Sequence, residues 1–152
     1  MMRAWAYLGR ALYFVVRLVV GRLLRGTLRT RILVVHGDSL LLIQDWIGNG
    51  QWVLPGGGLH KKEPAASGAS RELREETGLA IDPSILQDAG SYEYNHNSFQ
   101  FRYQLFALRL VEQQPVSAKW PEVISAQWVP RGKLTTLKVA PEVLTAVEHW
   151  PQ

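Results

Sequence analysis

The stretch from Gly57 to Leu79, GGLHKKEPAASGASRELREETGL, constrains this chain more than any other. A short apolar run, Gln51 to Leu54, leads into Pro55 and then Gly56, Gly57 and Gly58. A proline followed by glycines ends a strand and lets bare backbone approach a ligand closely. A helix is predicted next. It opens near Pro64, which suits a first-turn position, with Glu63 just ahead of it near the positive end of the helix dipole. It closes at Gly78, a natural C-terminal cap after Thr77.

Within that helix, Arg71-Glu72-Leu73-Arg74-Glu75-Glu76 sets acids at i, i+3 and i+4, so Glu72, Glu75 and Glu76 share one face. Neighbouring carboxylates repel by a few tenths of a kcal/mol per exposed pair, which a cation would relieve. Hard cations with oxygen ligands fit, and magnesium takes one or two carboxylates, several waters and the phosphate oxygens of a substrate. The opposite face, Ala66, Ser70, Leu73 and Thr77, is small or apolar enough to lie on a sheet. An acidic stripe alone is ordinarily a solvated face, and glycines ahead of a helix are ordinarily a plain turn. Their occurrence together with Glu63 and Arg71 at set spacings points to chemistry instead.

Gly57, Glu63, Arg71, Glu72, Leu73, Glu75, Glu76, Gly78 and Leu79 match every defining position of the Nudix box, and the chain resembles that family over roughly residues 28 to 150. The resemblance implies an α/β fold, an α/β/α sandwich with a mixed sheet, in which the box is a loop and helix. It implies hydrolysis of a diphosphate bond in a nucleoside diphosphate linked to another moiety, with Mg2+ or Mn2+ as cofactor. Carried onto these residues, it makes Glu72, Glu75 and Glu76 the metal-binding carboxylates and the Gly56 carbonyl a further ligand. Arg71 then orients the acids through a charge-assisted hydrogen bond to Glu63 or Glu72. The base that takes a proton from water is, across the family, either the acid at the Glu72 position or one on a later loop, where Glu122 falls here. Catalytic candidates are therefore Glu72, Arg71, Glu63 and Glu122. The competing readings are a catalytically silent nucleotide-binding module and a membrane-docked regulator; a silent module ordinarily lacks an acid of the box, and this chain lacks none.

Substrate contacts are expected from Gly57 and Gly58, from Trp46 on the loop before the box, and from Tyr94 and Arg102 on the later strands. Tyr92, Phe101 and Trp128 are further stacking candidates, with core packing as the competing role for each aromatic. His96, Lys61 and Lys62 are weaker polar candidates whose ordinary role is a solvated surface. Where ADP-ribose hydrolases of the family carry a proline, this chain has Asn95. Nucleoside triphosphates and nucleotide sugars both remain open.

Charge divides the chain in two. Residues 1–31 contain seven arginines and no acid, whereas the remainder holds 10 basic and 13 acidic residues, a net of −3. From Ala4 to Leu24 the sequence is rich in Leu, Val and aromatics, and at about 100 degrees per residue the arginines up to Arg29 fall within an arc of about 140 degrees. We therefore expect an N-terminal basic amphipathic helix, residues 1–27, ahead of a catalytic domain at 28–152. It would cover the domain or a partner subunit as in a homodimer, or lie on an anionic membrane surface, which Trp5, Tyr7, Tyr13 and Phe14 favour. Specific nucleic-acid binding is not expected, because basic charge alone gives nonspecific attraction. Arg10 and Arg17 argue against a membrane span, and the absence of a small-residue cleavage site against a secretory signal. The localisation expected is cytoplasmic, with peripheral membrane association.

With 152 residues and 47% hydrophobic content, one domain can bury a full core. The chain has no cysteine, which excludes disulfides, thiolate nucleophiles and zinc-thiolate sites. Strands are predicted at Arg29 to His36 and Ser39 to Gln44 around Gly37-Asp38, at Gln51 to Leu54, at Ile85 to Tyr94 and Phe99 to Val111 joined through Asn95-His96-Asn97, and at Ser125 to Val129. A closing helix is predicted at Pro141 to Trp150, with Val143, Leu144 and Val147 inward.

Overall fold

Strand β1, Leu28–His36, is paired on a mixed sheet and carries Ile32, Leu33, Val34 and Val35, each 0% exposed. Side chains alternate across a strand, so an unbroken buried run means that both faces are covered. Ile32 and Val34 join Ala69, Leu73, Phe106 and Leu108 on one face. Leu33 and Val35 join Leu54, Phe101, Leu105, Val143 and Ala146 on the other. The computed structural model describes residues 8, 9, 12, 13, 19, 23, 25–47, 49–96 and 99–150.

Five strands make one sheet in the order β3-β4-β1-β2-β5, where β2 is Ser39–Asp45, β3 Gln87–His96, β4 Phe99–Arg109 and β5 Val123–Pro130. β1 and β4 run parallel, and the other neighbours are antiparallel. Helix α1, Ala65–Thr77, covers one face through Gly68, Ala69, Leu73, Glu76 and Thr77. Helix α2, Pro141–Val147, covers the other through Val143 and Ala146. The α/β/α architecture and the hairpin at Gly37-Asp38 are as the sequence implies.

Several local expectations need correction. Pro64 is the residue before α1 rather than inside its first turn. Leu144 is 56% exposed, and Ala146 takes the inward position assigned to it. The stretch Gln51 to Leu54 forms isolated bridges instead of a strand. Gly78 does cap α1, at φ 77°, with its N–H on the Arg74 carbonyl. Of the expected N-terminal helix, Arg3, Arg10, Arg17 and Arg22 lie outside the described residues, as does most of Ala4 to Leu24.

Candidate active site

β1 and β2 pair directly only at their hairpin end, Val35 with Leu40 and His36 with Ser39. Toward the other end they part, and the segment before α1 is wedged between them. Val53 exchanges two 3.0 Å backbone hydrogen bonds with Ile43 on the β2 side. Pro55 and Gly57 then accept from the Ile32 and Thr30 amides on the β1 side, at 2.9 and 2.8 Å. The wedge brings Gly56, Gly57 and Gly58 to the floor of a cavity of about 490 Å³, a size suited to a nucleotide. Gly56 lies so close to β1 that a Cβ there would stand 2.2 Å from the Thr30 carbonyl oxygen.

Facing the glycines from α1 are Glu72, Glu75 and Glu76, with Arg71 among them. Arg71 uses all five of its N–H donors. Nε and Nη2 grip Glu63 at 2.9 and 3.0 Å, Nη1 reaches Glu72 and Glu75 at 2.9 Å each, and Nη2 also donates to the Gly58 carbonyl at 2.9 Å. The alternative between Glu63 and Glu72 resolves into both, with Glu75 added. Glu63 also accepts the His60 amide at 2.8 Å. The Arg71 hydrogen bond, then that amide, hold the Glu63 carboxyl down at about 2. The same contacts, Glu63 foremost, keep the Arg71 guanidinium firmly charged. Glu63 itself does not line the cavity; it anchors Arg71 from outside.

The three helix acids do not present one solvated face. Glu75 has a side chain 48% exposed and Glu72 one 15% exposed, whereas Glu76 is buried at 9%. Glu76 points under the glycine turn and accepts the Gly56 amide at 2.8 Å. Burial, and then the negative charge of Asp45, push its carboxyl well above the usual range. Asp45, at the end of β2, is open to water through the cavity mouth but crowded by protein, and that crowding raises its carboxyl to about 6 against the pull of Arg31.

Two residues the sequence reading passed over complete the cavity from β1: Arg29 and Arg31. They stand two apart on one strand face, each with its guanidinium over the Phe101 ring, at 5.6 and 5.7 Å. Arg29 is depressed to about 10 by burial and by Arg31 beside it. Arg31 donates to the Gly56 carbonyl at 2.7 Å and is backed by the buried Glu142 at 3.6 Å, an ion pair too long for a hydrogen bond. The β-strand spacing of Arg29, Arg31 and Asp45 was visible in the sequence, but nothing local marks those strand ends as adjacent to the box.

The lining comprises five carboxylates, Asp45, Glu72, Glu75, Glu76 and Glu122, against three guanidiniums, a formal excess of two negative charges. Among the described residues no three acidic or histidine side chains converge tightly enough to hold an ion as they stand. Arg71 and the Gly56 amide hold their oxygens instead. The donor set nonetheless fits a hard divalent ion: it is all oxygen, and it contains a buried acid whose charge lacks compensation. The Gly56 carbonyl, engaged by Arg31, retains its second lone pair.

Glu122 and Trp46 both line the cavity, their loops joined by a 2.7 Å hydrogen bond from the Trp46 amide to the Glu122 carbonyl. Arg102 does not line it: it is exposed on β4, in register with Leu28 and Glu93. Tyr94 stacks on Phe101 with centroids 4.7 Å apart and packs against the α2-side core. Both were placed by residue type without knowing which way their strands face. Phe101 itself underlies the two arginines. Tyr92 stacks on Tyr103, His96 packs edge-on to Tyr94, and Trp128 donates to the Gln114 carbonyl away from the cavity. Lys61 and Lys62 are exposed outside the cavity lining.

Comparison with known proteins follows the same geometry. Nudix hydrolase 2 of Arabidopsis thaliana is 28% identical over 102 residues, 62% of this chain and 35% of that protein. The chain spans about a third of the length of the curated relatives it matches. The NUDIX domain of Shewanella oneidensis NrtR, solved with ADP ribose, superposes with a TM-score of 0.71 at 18% identity, over 81% of this chain and 84% of that one. A bifunctional NMN adenylyltransferase/ADP ribose pyrophosphatase from Francisella tularensis, solved with AMP and a manganese ion, gives 0.65 at 19% identity, over 82% and 41%. The pattern that defines the NUDIX domain matches residues 26–148, the span that contains the sheet, both helices and the whole cavity. The chain is a member of the NUDIX family.

Proposed function

We propose that this chain is a divalent-metal-dependent pyrophosphohydrolase that cleaves a diphosphate bond in a nucleoside diphosphate linked to another group. The observation that carries the reading is the opposition within one cavity of an acidic wall that Arg71 offsets only in part, Glu72, Glu75, Glu76 and Asp45, and a basic wall, Arg29 and Arg31. Cation and polyphosphate together satisfy both walls, and neither does so alone. ADP ribose and AMP in two structural neighbours belong to the same chemical class.

Glu72, Glu75 and Glu76 would hold Mg2+ or Mn2+, with the Gly56 carbonyl as a further donor. When bound, the ion supplies neutralisation of phosphate charge and lowers the pKa of a coordinated water. Arg71, fixed by Glu63, keeps Glu72 and Glu75 in position. Arg29 and Arg31 receive phosphate oxygens, for which guanidinium geometry is suited. Glu72 or Glu122 accepts the proton as water attacks phosphorus, and Trp46 offers an aromatic surface at the rim for a base.

Hydrolysis of a panel of nucleoside triphosphates, nucleotide sugars and ADP ribose with and without Mg2+ tests the reading. Turnover that needs the metal and vanishes in Glu76→Gln supports it. Tight nucleotide binding without turnover of any substrate would replace it with a silent binding module.

A further inference from the structure

Ahead of β1, the described helical residues divide into two sets. Gly9 and Tyr13 face the domain. A Cβ on Gly9 would stand 2.1 Å from the Trp46 carbonyl oxygen, and Tyr13, 7% exposed, packs its ring 5.8 Å from that of Phe99. Leu8, Leu12, Val19 and Leu23 face away, with exposures of 54%, 36%, 62% and 72%. At ~100 degrees per residue these four fall within an arc of about 60 degrees, while Gly9 and Tyr13 lie about 100 and 140 degrees from Leu8.

A helix that only covers a domain needs one apolar side. The described helical residues here present two, and the second is made of large aliphatic side chains turned to water. The sequence around it, residues 1–25, holds five arginines and no acid.

We propose that the stripe docks on an anionic lipid surface, its aliphatic side chains entering the headgroup boundary while arginines of the same segment meet lipid phosphates. Charge selects this occupant. A second copy of the segment would bring arginines against arginines with no acid of its own to meet them, whereas an anionic bilayer offers negative charge along its whole surface. Among the described residues no helix is long and apolar enough to cross a membrane. Because Gly9 abuts Trp46, which lines the cavity, docking holds the cavity beside the bilayer. The proposal is independent of the chemistry argued above.

Flotation of the full chain with vesicles of phosphatidylcholine alone, and of phosphatidylcholine mixed with phosphatidylserine, tests it. The chain should float with the anionic vesicles and not the neutral ones, and added salt should release it, since charge attraction at the surface is screened. Val19→Asp with Leu23→Asp should lower the bound fraction ~tenfold or more, because charged side chains then occupy the lipid-facing stripe. Leu8→Asp alone, at the other end of the stripe, should act in the same direction. All these sites are exposed, and an unchanged melting temperature verifies that the fold is intact. Equal recovery in the soluble fraction with both vesicle types overturns the proposal, as does undiminished flotation of the variants. Lipid-free self-association that the double substitution abolishes would overturn it too, making a second copy the occupant.

Discussion

Alanine at each of the three consecutive glycines should give three different phenotypes, because each glycine is required for a different reason or for none. At Gly57 a Cβ would lie 2.4 to 2.6 Å from the carboxyl carbon and oxygens of Glu72. Ordinary contact needs about 3.5 Å, so that carboxyl must retreat by roughly 1 Å. Its 2.9 Å hydrogen bond from Arg71 then stretches beyond bonding distance. A displacement of that size in a catalytic group costs on the order of 100-fold in rate, about 2.7 kcal/mol of barrier. The main chain at Gly57 is outside the positive-φ region, so Gly57→Ala should leave the fold within about 1 kcal/mol of the wild type.

Gly56→Ala is the contrasting case. Gly56 has φ 138°, and its new Cβ would meet not a yielding side-chain tip but the Thr30 carbonyl, 2.2 Å away on β1. Strain of this kind costs roughly 2 to 3 kcal/mol or more, which lowers the melting temperature by about 4 to 12 °C in a domain of this size. Gly58→Ala meets nothing nearer than the Arg29 guanidinium at 3.7 Å and should change neither quantity. Circular-dichroism melts and kcat/KM for the best substrate of the panel, measured on all three variants, separate these outcomes. A Gly57→Ala protein with wild-type kcat/KM, or one as destabilised as Gly56→Ala, would refute the reasoning.

Other expectations follow from burial and charge. Val143, 0% exposed on the inner face of α2, should cost about 2 kcal/mol of stability on truncation to alanine, while Leu144→Ala, at 56% exposure, should stay within about 0.5 kcal/mol; urea denaturation measures both. Glu63 is held at about 2 in the folded chain against an ordinary 4.5. Its contribution to stability is thus complete above pH 4.5 and lost as pH falls through 2; a carboxyl NMR titration should find the low midpoint, and Arg71→Ala should return it toward 4.5. For Asp45 the sign is opposite: its folded value of about 6 lies above the unfolded 3.8, so ionising it weakens the metal-free fold as pH rises across that interval. Mg2+ should offset this charge, raising the melting temperature more at pH 8 than at pH 5; an equal rise at both would count against cation binding beside Asp45 and Glu76.

The box was legible in the sequence because its parts are local. Glu63, Arg71, Glu72, Glu75 and Glu76 lie within one loop and one helix, where helical spacing alone decides which of them meet. Arg29, Arg31 and Asp45 were not legible, because they reach the cavity only through the parting of β1 from β2 and the insertion of Val53 to Gly57 between them. Residue type without strand facing misled in the opposite direction at Arg102 and Tyr94. An exposed arginine and a half-buried tyrosine on neighbouring strands look like ligand contacts until the register shows that they point elsewhere. The fold itself was legible because strands stand on both sides of the box helix, and β1 carries the apolar run Ile32 to Val35, which fits a sheet covered on both faces.

The wedge between β1 and β2 has a further consequence for how such a protein can change. Its cavity is a gap in a hydrogen-bonded sheet, not a cleft between bodies that hinge apart, so the Thr30 and Ile32 amides should exchange with solvent only when the sheet itself opens. The floor is thereby fixed for every substrate. Variation must come from the rim, the loops that carry Trp46 and Glu122, where sequence can drift without disturbing a single ladder bond of β1. Under the function proposed above, such a division would let one centre be fitted to many leaving groups, with selection acting on a few loop residues while the sheet keeps the floor unchanged.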